Sequence, residues 1–473
     1  MRSWAAQIRR VLADREGNLA ILTAFLMVPM VLVVGGAMDL VVYERARLAL
    51  QDALDRGTLA AASLSQTKEP QALVKSYVDA VPAIKGAQVS VSDDHKPNLR
   101  KVTAQATIRQ TTAFLKLAGI GTLVVTAAST AQEKRSNIEV SVVLDISGSM
   151  YDNGGLAQLK PAAKSFLDVV LKDDLRATTS VSIIPFAGAV NLGFGVFNLL
   201  SGYVPSLGEK DAGPNANGQC DPSVLSLYAR RHCYSSCFEM VDADFKAGTP
   251  LFPKRDQVPH FSVYNISAKG KLPWWCPTDS AAVSYLTNDI TYLKQRIDAL
   301  APYDGTGTAY GMKWAELLLN PAMRPTVATI GNTGLAPIPA EFRNRPADFG
   351  SADTLKFIVL MTDGQIGFQP RPVGSLSGNT GTAEVTDKNV TGSNSKTVYT
   401  EAQSAAFYKQ VCDYAKAEGI TIFTVAFKVD AAVAKSIAAC ASDQSYALKV
   451  DGLDMSTAFQ FIATSMQKIR LVN

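Results

Sequence analysis

The chain has 473 residues, with 46 Lys and Arg against 42 Asp and Glu, a formal net charge of +4. So small an excess, without a basic stripe, argues against nucleic-acid binding, and three histidines (His95, His232, His260) argue against a multi-histidine metal enzyme and a Ser-His-Asp hydrolase. Hydrophobic residues make up 47% and charged residues 19%, enough for a large core in two or three units, while six cysteines are too few for a disulfide-built scaffold.

From Leu19 to Met38 there are 20 consecutive residues without a charge. At 1.5 Å per residue this run spans about 30 Å as a helix, the thickness of a bilayer core. Pro29 lies inside it, which a membrane helix tolerates. Arg2, Arg9, Arg10 and Arg15 outweigh Asp14 and Glu16 before the run; Glu44, Asp52 and Asp55 balance Arg45, Arg47 and Arg56 after it. The positive-inside rule predicts a single-pass anchor over 18–43, with residues 1–17 cytoplasmic and the body exported. Gly35 and Ala37 would suit a signal-peptide cleavage site, but the run exceeds a usual signal core. A buried core helix is the third alternative. Ala46, Leu50, Ala53, Leu54, Ala61 and Leu64 fall on one stripe and predict a stalk helix over 44–65.

Residues 66–135 read as a small α+β region beside the membrane. A helix is predicted over Pro70–Val81, alternating strands over Ala87–Ser92 and Lys101–Arg109, and a polar turn over Asp93–Asn98 that holds a solvated His95. A short helix over Thr112–Ala118 and a strand over Leu123–Ser129 follow.

Ile138–Leu144 is a β-branched run fit for a strand buried on both faces, and it leads into Asp145-Ile146-Ser147-Gly148-Ser149. Further strands are predicted over Ser180–Phe186, Leu355–Met361, Thr421–Phe427 and Tyr446–Val450. Helices are predicted over Leu156–Leu171, Ala281–Leu300, Ala309–Leu319, Glu401–Glu418, Ala431–Cys440 and Met455–Ile469. The alternation indicates an α/β domain over 136–473, interrupted at 192–280, 321–352 and 364–397.

Two resemblances add to this reading. Arg15-Glu16-Gly17-Asn18-Leu19-Ala20, Pro29 and Gly35-Gly36-Ala37-Met38-Asp39 resemble the N-terminal anchor of TadG-like proteins from bacterial Flp (tight adherence) pilus assembly. Gly311-Met312-Lys313-Trp314, Leu319-Asn320-Pro321 and the C-terminal Ile462 to Leu471 are similar to that family too. Related pseudopilins are cut ahead of a Glu five residues into the mature chain; with a cut at Gly17 that position is Leu22, so the resemblance implies an intact anchor. Asp145-x-Ser147-x-Ser149 resembles the opening motif of von Willebrand factor type A domains, which starts a metal-ion-dependent adhesion site. That resemblance implies a doubly wound, mostly parallel sheet with the site at the carboxyl ends of its strands. Thr306, five residues before Gly311, matches the family's metal-binding threonine, with Thr308 as the fallback, and Asp363-Gly364 matches its late acidic turn.

Hard divalent ions favour oxygen ligands, so the implied cofactor is Mg²⁺, with Mn²⁺ or Ca²⁺ as alternatives. Ser147, Ser149 and Thr306 supply neutral oxygens; Asp145, at what reads as an exposed strand end, and Asp363 supply charge, in the family often through water. The open position would take an acidic side chain of a pilus-assembly or surface protein. Helix capping is the plainer role for the same Ser and Asp residues. No nucleotide-binding glycine fingerprint or Walker loop occurs. A phosphatase-type loop needs a second acid where Ser147 stands, and no base neighbours Ser149 in sequence, so no catalysis is expected.

The insertion over 192–280 carries Cys220, Cys233, Cys237 and Cys276, plus Trp274, Trp275, Tyr264 and Phe261 for a satellite core. Its cysteines suit disulfides outside the cytoplasm, in any of three pairings, or a four-cysteine zinc site; His232 reads as a surface residue. Cys412 and Cys440 match a recurring pair in TadG-like chains, which implies a bridge; the alternative is two buried thiols. The Gly, Ser, Thr and Asn-rich stretch 364–397 reads as a long mobile loop beside the metal site, and the Pro-rich 321–352 as a cover for one rim; both could gate partner access, with solvated spacers as the default.

The sequence thus predicts a metal-dependent binding protein of the bacterial inner membrane serving pilus assembly or adhesion. A non-enzymatic envelope scaffold with a vestigial metal site is the first rival, a metal-dependent hydrolase the second. A periplasm-dependent phosphatase fused after Ser136 should be active; activity of a cytoplasmic reporter alone at that junction would reverse the topology.

Overall fold

The computed structural model describes residues 17–202, 230–246, 256–264, 274–373, 390–451 and 455–472. The chain divides into two compact units, Met1–Lys134 and Arg135–Asn473.

In the first unit one helix, α1, runs over Gly17–Ala61 with Pro29 inside it. Its apolar side chains Phe25, Met27, Val28, Met30, Val33 and Val34 are exposed. Its later half behaves differently, because Ala46, Leu50, Ala53, Leu54 and Ala61 are buried, as the stripe predicts. They pack with α2 (Pro70–Asp79) and a three-stranded antiparallel sheet, β1 (Gln88–Lys96), β2 (Leu99–Thr111) and β3 (Thr122–Lys134). Residues 44–61 therefore share one core with the α+β region. Glu69 caps α2 through bonds from the Gln71 and Ala72 amides, and Pro70 fits the first helical turn. The Asp93–Asn98 turn is shorter than predicted: β1 runs on to Lys96, and His95 is an exposed strand residue.

The second unit is built on a six-stranded sheet. Its strands are β4 (Asn137–Asp145), β5 (Thr179–Phe186), β6 (Ser284–Thr287), β7 (Thr354–Thr362), β10 (Thr421–Phe427) and β11 (Ala447–Val450). Their order is β11-β10-β7-β4-β5-β6, parallel except for β6 at one edge. The chain starts at central β4, winds out through β5 to β6, returns to β7 on the other side and winds out again. This is the doubly wound α/β fold expected from the von Willebrand factor A resemblance.

Alternate β4 residues serve opposite faces. Val140, Val142 and Leu144 join the core under α3 (Gly155–Val170) and α8 (Met455–Val472), where Phe166 meets Phe459 edge-on. Val143 faces the core under α5 (Thr308–Leu317) and α6 (Glu401–Ala417). Each such fully buried side chain contributes about 1.5–3 kcal/mol. Thr400 and Gln403 form a capping box on α6, and Asp430 caps α7 (Ala431–Ala438).

Several sequence expectations change. The helix predicted over Ala281–Leu300 divides into β6 and α4 (Ile290–Asp298), because Asp289 caps at the Tyr292 amide and Ser284–Thr287 pairs with β5. The stretch 364–397 contributes an antiparallel pair, β8 (Gln369–Pro372) with β9 (Ser395–Tyr399); residues 374–389 lie outside those described. The segment 321–352 sends Val327, Ile330, Ile338 and Phe342 into the main core. Its Arg345 bonds to the Ile138 and Thr178 carbonyls and the Ser180 hydroxyl, at the amino ends of β4 and β5. It therefore closes the edge opposite the carboxyl ends.

Cys237 joins Cys276 and Cys412 joins Cys440, which removes two ligands of the proposed four-cysteine zinc site. Cys233 is also disulfide-bonded, and Cys220 lies outside the described residues. Phe261 and Trp275 pack in the satellite core around Cys237–Cys276, but Tyr264 is exposed. His232 is buried, not on the surface, because Gln257 and the Val258 carbonyl enclose it. Replacing Cys412 and Cys440 by Ser opens a loop with a sequence separation of 28. It should cost about 3 kcal/mol in urea unfolding, an expectation that an unchanged midpoint would defeat.

Candidate cation site at the carboxyl edge of the sheet

Strands β4 and β7 are neighbours at the point where the chain reverses its direction of winding. Loops leaving them diverge, so a crevice forms beyond their carboxyl ends. Asp145 ends β4 and Asp363 follows β7, which brings together two acids far apart in sequence.

Asp145 is fully buried, not exposed as the sequence reading has it, because β5 and β7 flank it and the 303–307 loop covers it. One carboxylate oxygen accepts the Ser147 amide at 2.7 Å and the other the Thr362 hydroxyl at 2.6 Å. Ser149 donates its hydroxyl to Asp363 at 2.8 Å. That spends its single proton, so Ser147 donates in the 2.9 Å contact between the two serines. The second oxygen of Asp363 accepts the Asn153 amide at 2.5 Å. A Cβ placed on Gly364 would lie 3.4 Å from the Thr306 hydroxyl, so Thr306 abuts the acidic turn. The Gly367 amide, which donates to the Thr306 carbonyl, holds the two loops together.

Gly311 explains how Thr306 arrives there. A Cβ at this position would meet Val143 at 2.9 Å and Phe186 at 3.0 Å, so only glycine lets α5 lie this close to β4 and β5. The loop five residues upstream is thereby set against the ends of β4 and β7. The fallback, Thr308, is fully buried in the first turn of α5, and its hydroxyl lacks a partner.

All five predicted residues thus converge, and three contributors were missed: Thr362, Asn153 and Asp304, of which Thr362 donates to Asp145. Asn153 holds Asp363; eight positions after Asp145, it carries no recognisable spacing. Asp304 was visible as an acid beside the Gly-Thr-Gly-Thr loop. It is buried and accepts the Val263 and Tyr264 amides at 2.6 and 3.1 Å, tying the insertion to the Thr306 loop. Burial raises its pKa to about 6.

The acids face each other at an energetic cost. Desolvation first, and the Asp363 charge second, raise the Asp145 pKa to about 7, against the pull of Ser147 and Thr362. Burial raises Asp363 too. Among the described residues no cluster of three or more His, Cys, Asp or Glu side chains occurs, so a metal here would depend on hydroxyls. The donor set of two carboxylates and three hydroxyls is all oxygen and fits a hard divalent cation.

Comparison with known proteins addresses the two ends separately. Residues 17–64 match the family model described as putative Flp pilus-assembly TadE/G-like. The chain carries a TadE/G-like N-terminal segment. No curated protein matches the chain. Among solved structures it is similar to a pilus adhesin from Lactobacillus rhamnosus GG at 12% identity and TM-score 0.34, covering 82% of this chain and 35% of that one. It is also similar to the von Willebrand factor domain of a type V pili tip protein from Porphyromonas gingivalis, at 13% identity and TM-score 0.36, covering 71% and 97%. A pilus adhesin from Streptococcus pneumoniae matches at 10% identity and TM-score 0.33, covering 81% and 49%. The chain thus spans about a third of the Lactobacillus adhesin's length. The fold rests on the strand order above, not on these likenesses.

The raised Asp145 pKa has a defined sign. Between about pH 4 and about pH 7 the folded carboxyl keeps a proton that the unfolded one, titrating near 3.8, has lost. Without divalent cations the thermal midpoint should therefore fall as pH rises through that window. In Asp145→Asn the fall should be shallower, and an equal fall in both proteins would remove Asp145 as its source.

Proposed function

We propose that this chain is a membrane-anchored, cation-dependent protein-binding module of Flp-type pilus assembly or surface attachment, and that it performs no catalysis. The observation that carries the reading is the convergence of Asp145, Ser147, Ser149, Thr306 and Asp363 at the switch point of a chain with a TadE/G-like apolar helix.

Ser147, Ser149 and Thr306 would hold the cation through their hydroxyls, with Asp145 and Asp363 balancing its charge. A bound Mg²⁺, or Mn²⁺ or Ca²⁺, would supply an electrophilic point for a partner's acidic side chain. The chain's own residues prepare this arrangement: Ser149 spends its proton on Asp363, which leaves oxygen lone pairs for an incoming cation. Asn153 and Thr362 keep the two carboxylates from turning away.

Among the described residues one helix is long and apolar enough to cross a membrane. Its exposed apolar side chains suit a lipid surround. We place the N-terminus in the cytoplasm and the body outside the inner membrane, where disulfides such as Cys237–Cys276 and Cys412–Cys440 persist.

One observation favours the envelope scaffold instead. Both Asp363 oxygens and both Asp145 oxygens already have hydrogen-bond donors, so the loops are held without a cation. Titration calorimetry with Mg²⁺ separates the two. The module requires binding that weakens about 10–100-fold in Asp145→Asn, with loss of attachment or piliation at normal protein levels. Full attachment by a stable, correctly localised Asp145→Asn protein would establish the scaffold.

A further inference from the structure

The loop joining β2 to β3, residues 112–121, presents apolar side chains outward. Leu117 is 72% exposed, Ile120 46% and Phe114 38%, with Val124 beyond them at 50%. Lys116 is the one charged residue in the loop. Exposed apolar groups at this density are unfavourable in water.

The loop is fixed to the apolar half of α1. A Cβ on Gly35 would lie 2.2 Å from the Phe114 ring, and one on Gly36 would lie 3.1 Å from Leu115. Both glycines belong to the uncharged run 19–38, so Phe114 sits at the depth of that run. Asp39, the first charge after the run, is buried and accepts the Ala113, Phe114 and Leu115 amides at 2.9, 2.9 and 2.7 Å. Gly35 is four residues before Asp39, about 6 Å along the helix toward the N-terminus.

The loop's own polar groups are turned inward. Leu117 and Gly119 donate to the Phe114 and Lys116 carbonyls, Ile120 to Leu115, and Thr112 to Gly121. With the three amides taken by Asp39, seven of the loop's amides have partners within the unit, which lowers the cost of bringing the loop against lipid.

We propose that this loop is a wedge that inserts into the outer leaflet beside the anchor, so that the first unit is held to the bilayer at two points. The occupant of the apolar face is lipid, because the face is continuous with the exposed apolar flank of α1 at the level of Gly35. Leu117 and Ile120 lie among acyl chains, and Lys116 reaches to the headgroups along its own stem. Asp39 then acts as a positioning residue that sets how deep the unit rides. The inference rests on the reading of α1 as a membrane anchor.

The test uses the full chain in vesicles of phosphatidylcholine and phosphatidylglycerol, with an environment-sensitive fluorophore on single added cysteines. Leu117→Cys probes the wedge and Val31→Cys the anchor. His95→Cys is the control, exposed near the far end of the sheet, roughly 40 Å away by strand length. Nitroxide carried high on the acyl chains should quench the Leu117 probe at least about twofold more than the His95 probe, as expected at leaflet depth. Quenching of Val31 with Leu117 behaving like His95 overturns the wedge and leaves the anchor intact. A Leu117 probe shielded from aqueous iodide yet untouched by lipid nitroxide also overturns it, in favour of a protein partner. An unquenched Val31 probe defeats the anchor and the wedge together.

Discussion

Strand β4 is hydrogen-bonded on both sides and buried on both faces, and its carboxyl end is where the sheet changes its direction of winding. A residue at that end has no route to solvent unless the next loop provides one. Here the next loop turns straight into Ser147 and Ser149, and the Tyr303 amide bonds across to the Ile146 carbonyl. The Asp145 carboxylate is consequently sealed under its own loop. The serine chain, the Thr362 bond and the approach of Thr306 all follow from holding a charge-bearing group in a place that water does not reach.

The two ends of β4 solve the burial of charge differently. At the amino end Glu139 is fully enclosed, yet Lys356 meets it at 2.6 Å and the Ala347 amide satisfies its other oxygen. Burial pulls the neighbouring Arg345 to about 10 and lowers Lys356, against the raising effect of the Glu139 charge. That end is a closed ion pair, which would be strongly destabilised by loss of either partner. At the carboxyl end the bonds to the two acids come from hydroxyls and amides, none from a basic side chain. Neutral donors soften the repulsion but do not cancel it. A divalent cation is the species whose charge would do so, which is why this end, and not the other, is the candidate site.

The insertions take sides in this division. Residues 321–352 brace the amino end through Arg345. The cysteine-bearing insertion sits at the carboxyl end, where Asp304 receives its Val263 and Tyr264 amides. Trp275 donates its indole N–H to Gln369, whose own amide donates to the Gly188 carbonyl. The described parts of the cysteine-bearing insertion and β8 of 364–397 are therefore packed beside the site, whereas Thr391–Asn394 and most of β9 stay exposed, as the spacer default expects.

Much of this was legible from local pattern. An uncharged run of membrane length, a β-branched run fit for a fully buried strand and the Asp-x-Ser-x-Ser spacing are properties of neighbouring residues. Such patterns point to helix, strand and loop before any partner is known. Thr306 was assigned by the von Willebrand factor A resemblance, not by local pattern; the close approach of α5 at Gly311 is what the structure adds. Tertiary structure alone decided the rest. The burial of Asp145 depends on β7, whose Thr362 is 217 positions away, and the roles of Asn153 and Asp304 depend on loops brought in from other strands. Ser284–Thr287 became strand instead of helix because the edge of β5 offered unpaired backbone groups. Periodicity reports which face of a segment is apolar; it carries no record of which distant segment will cover it.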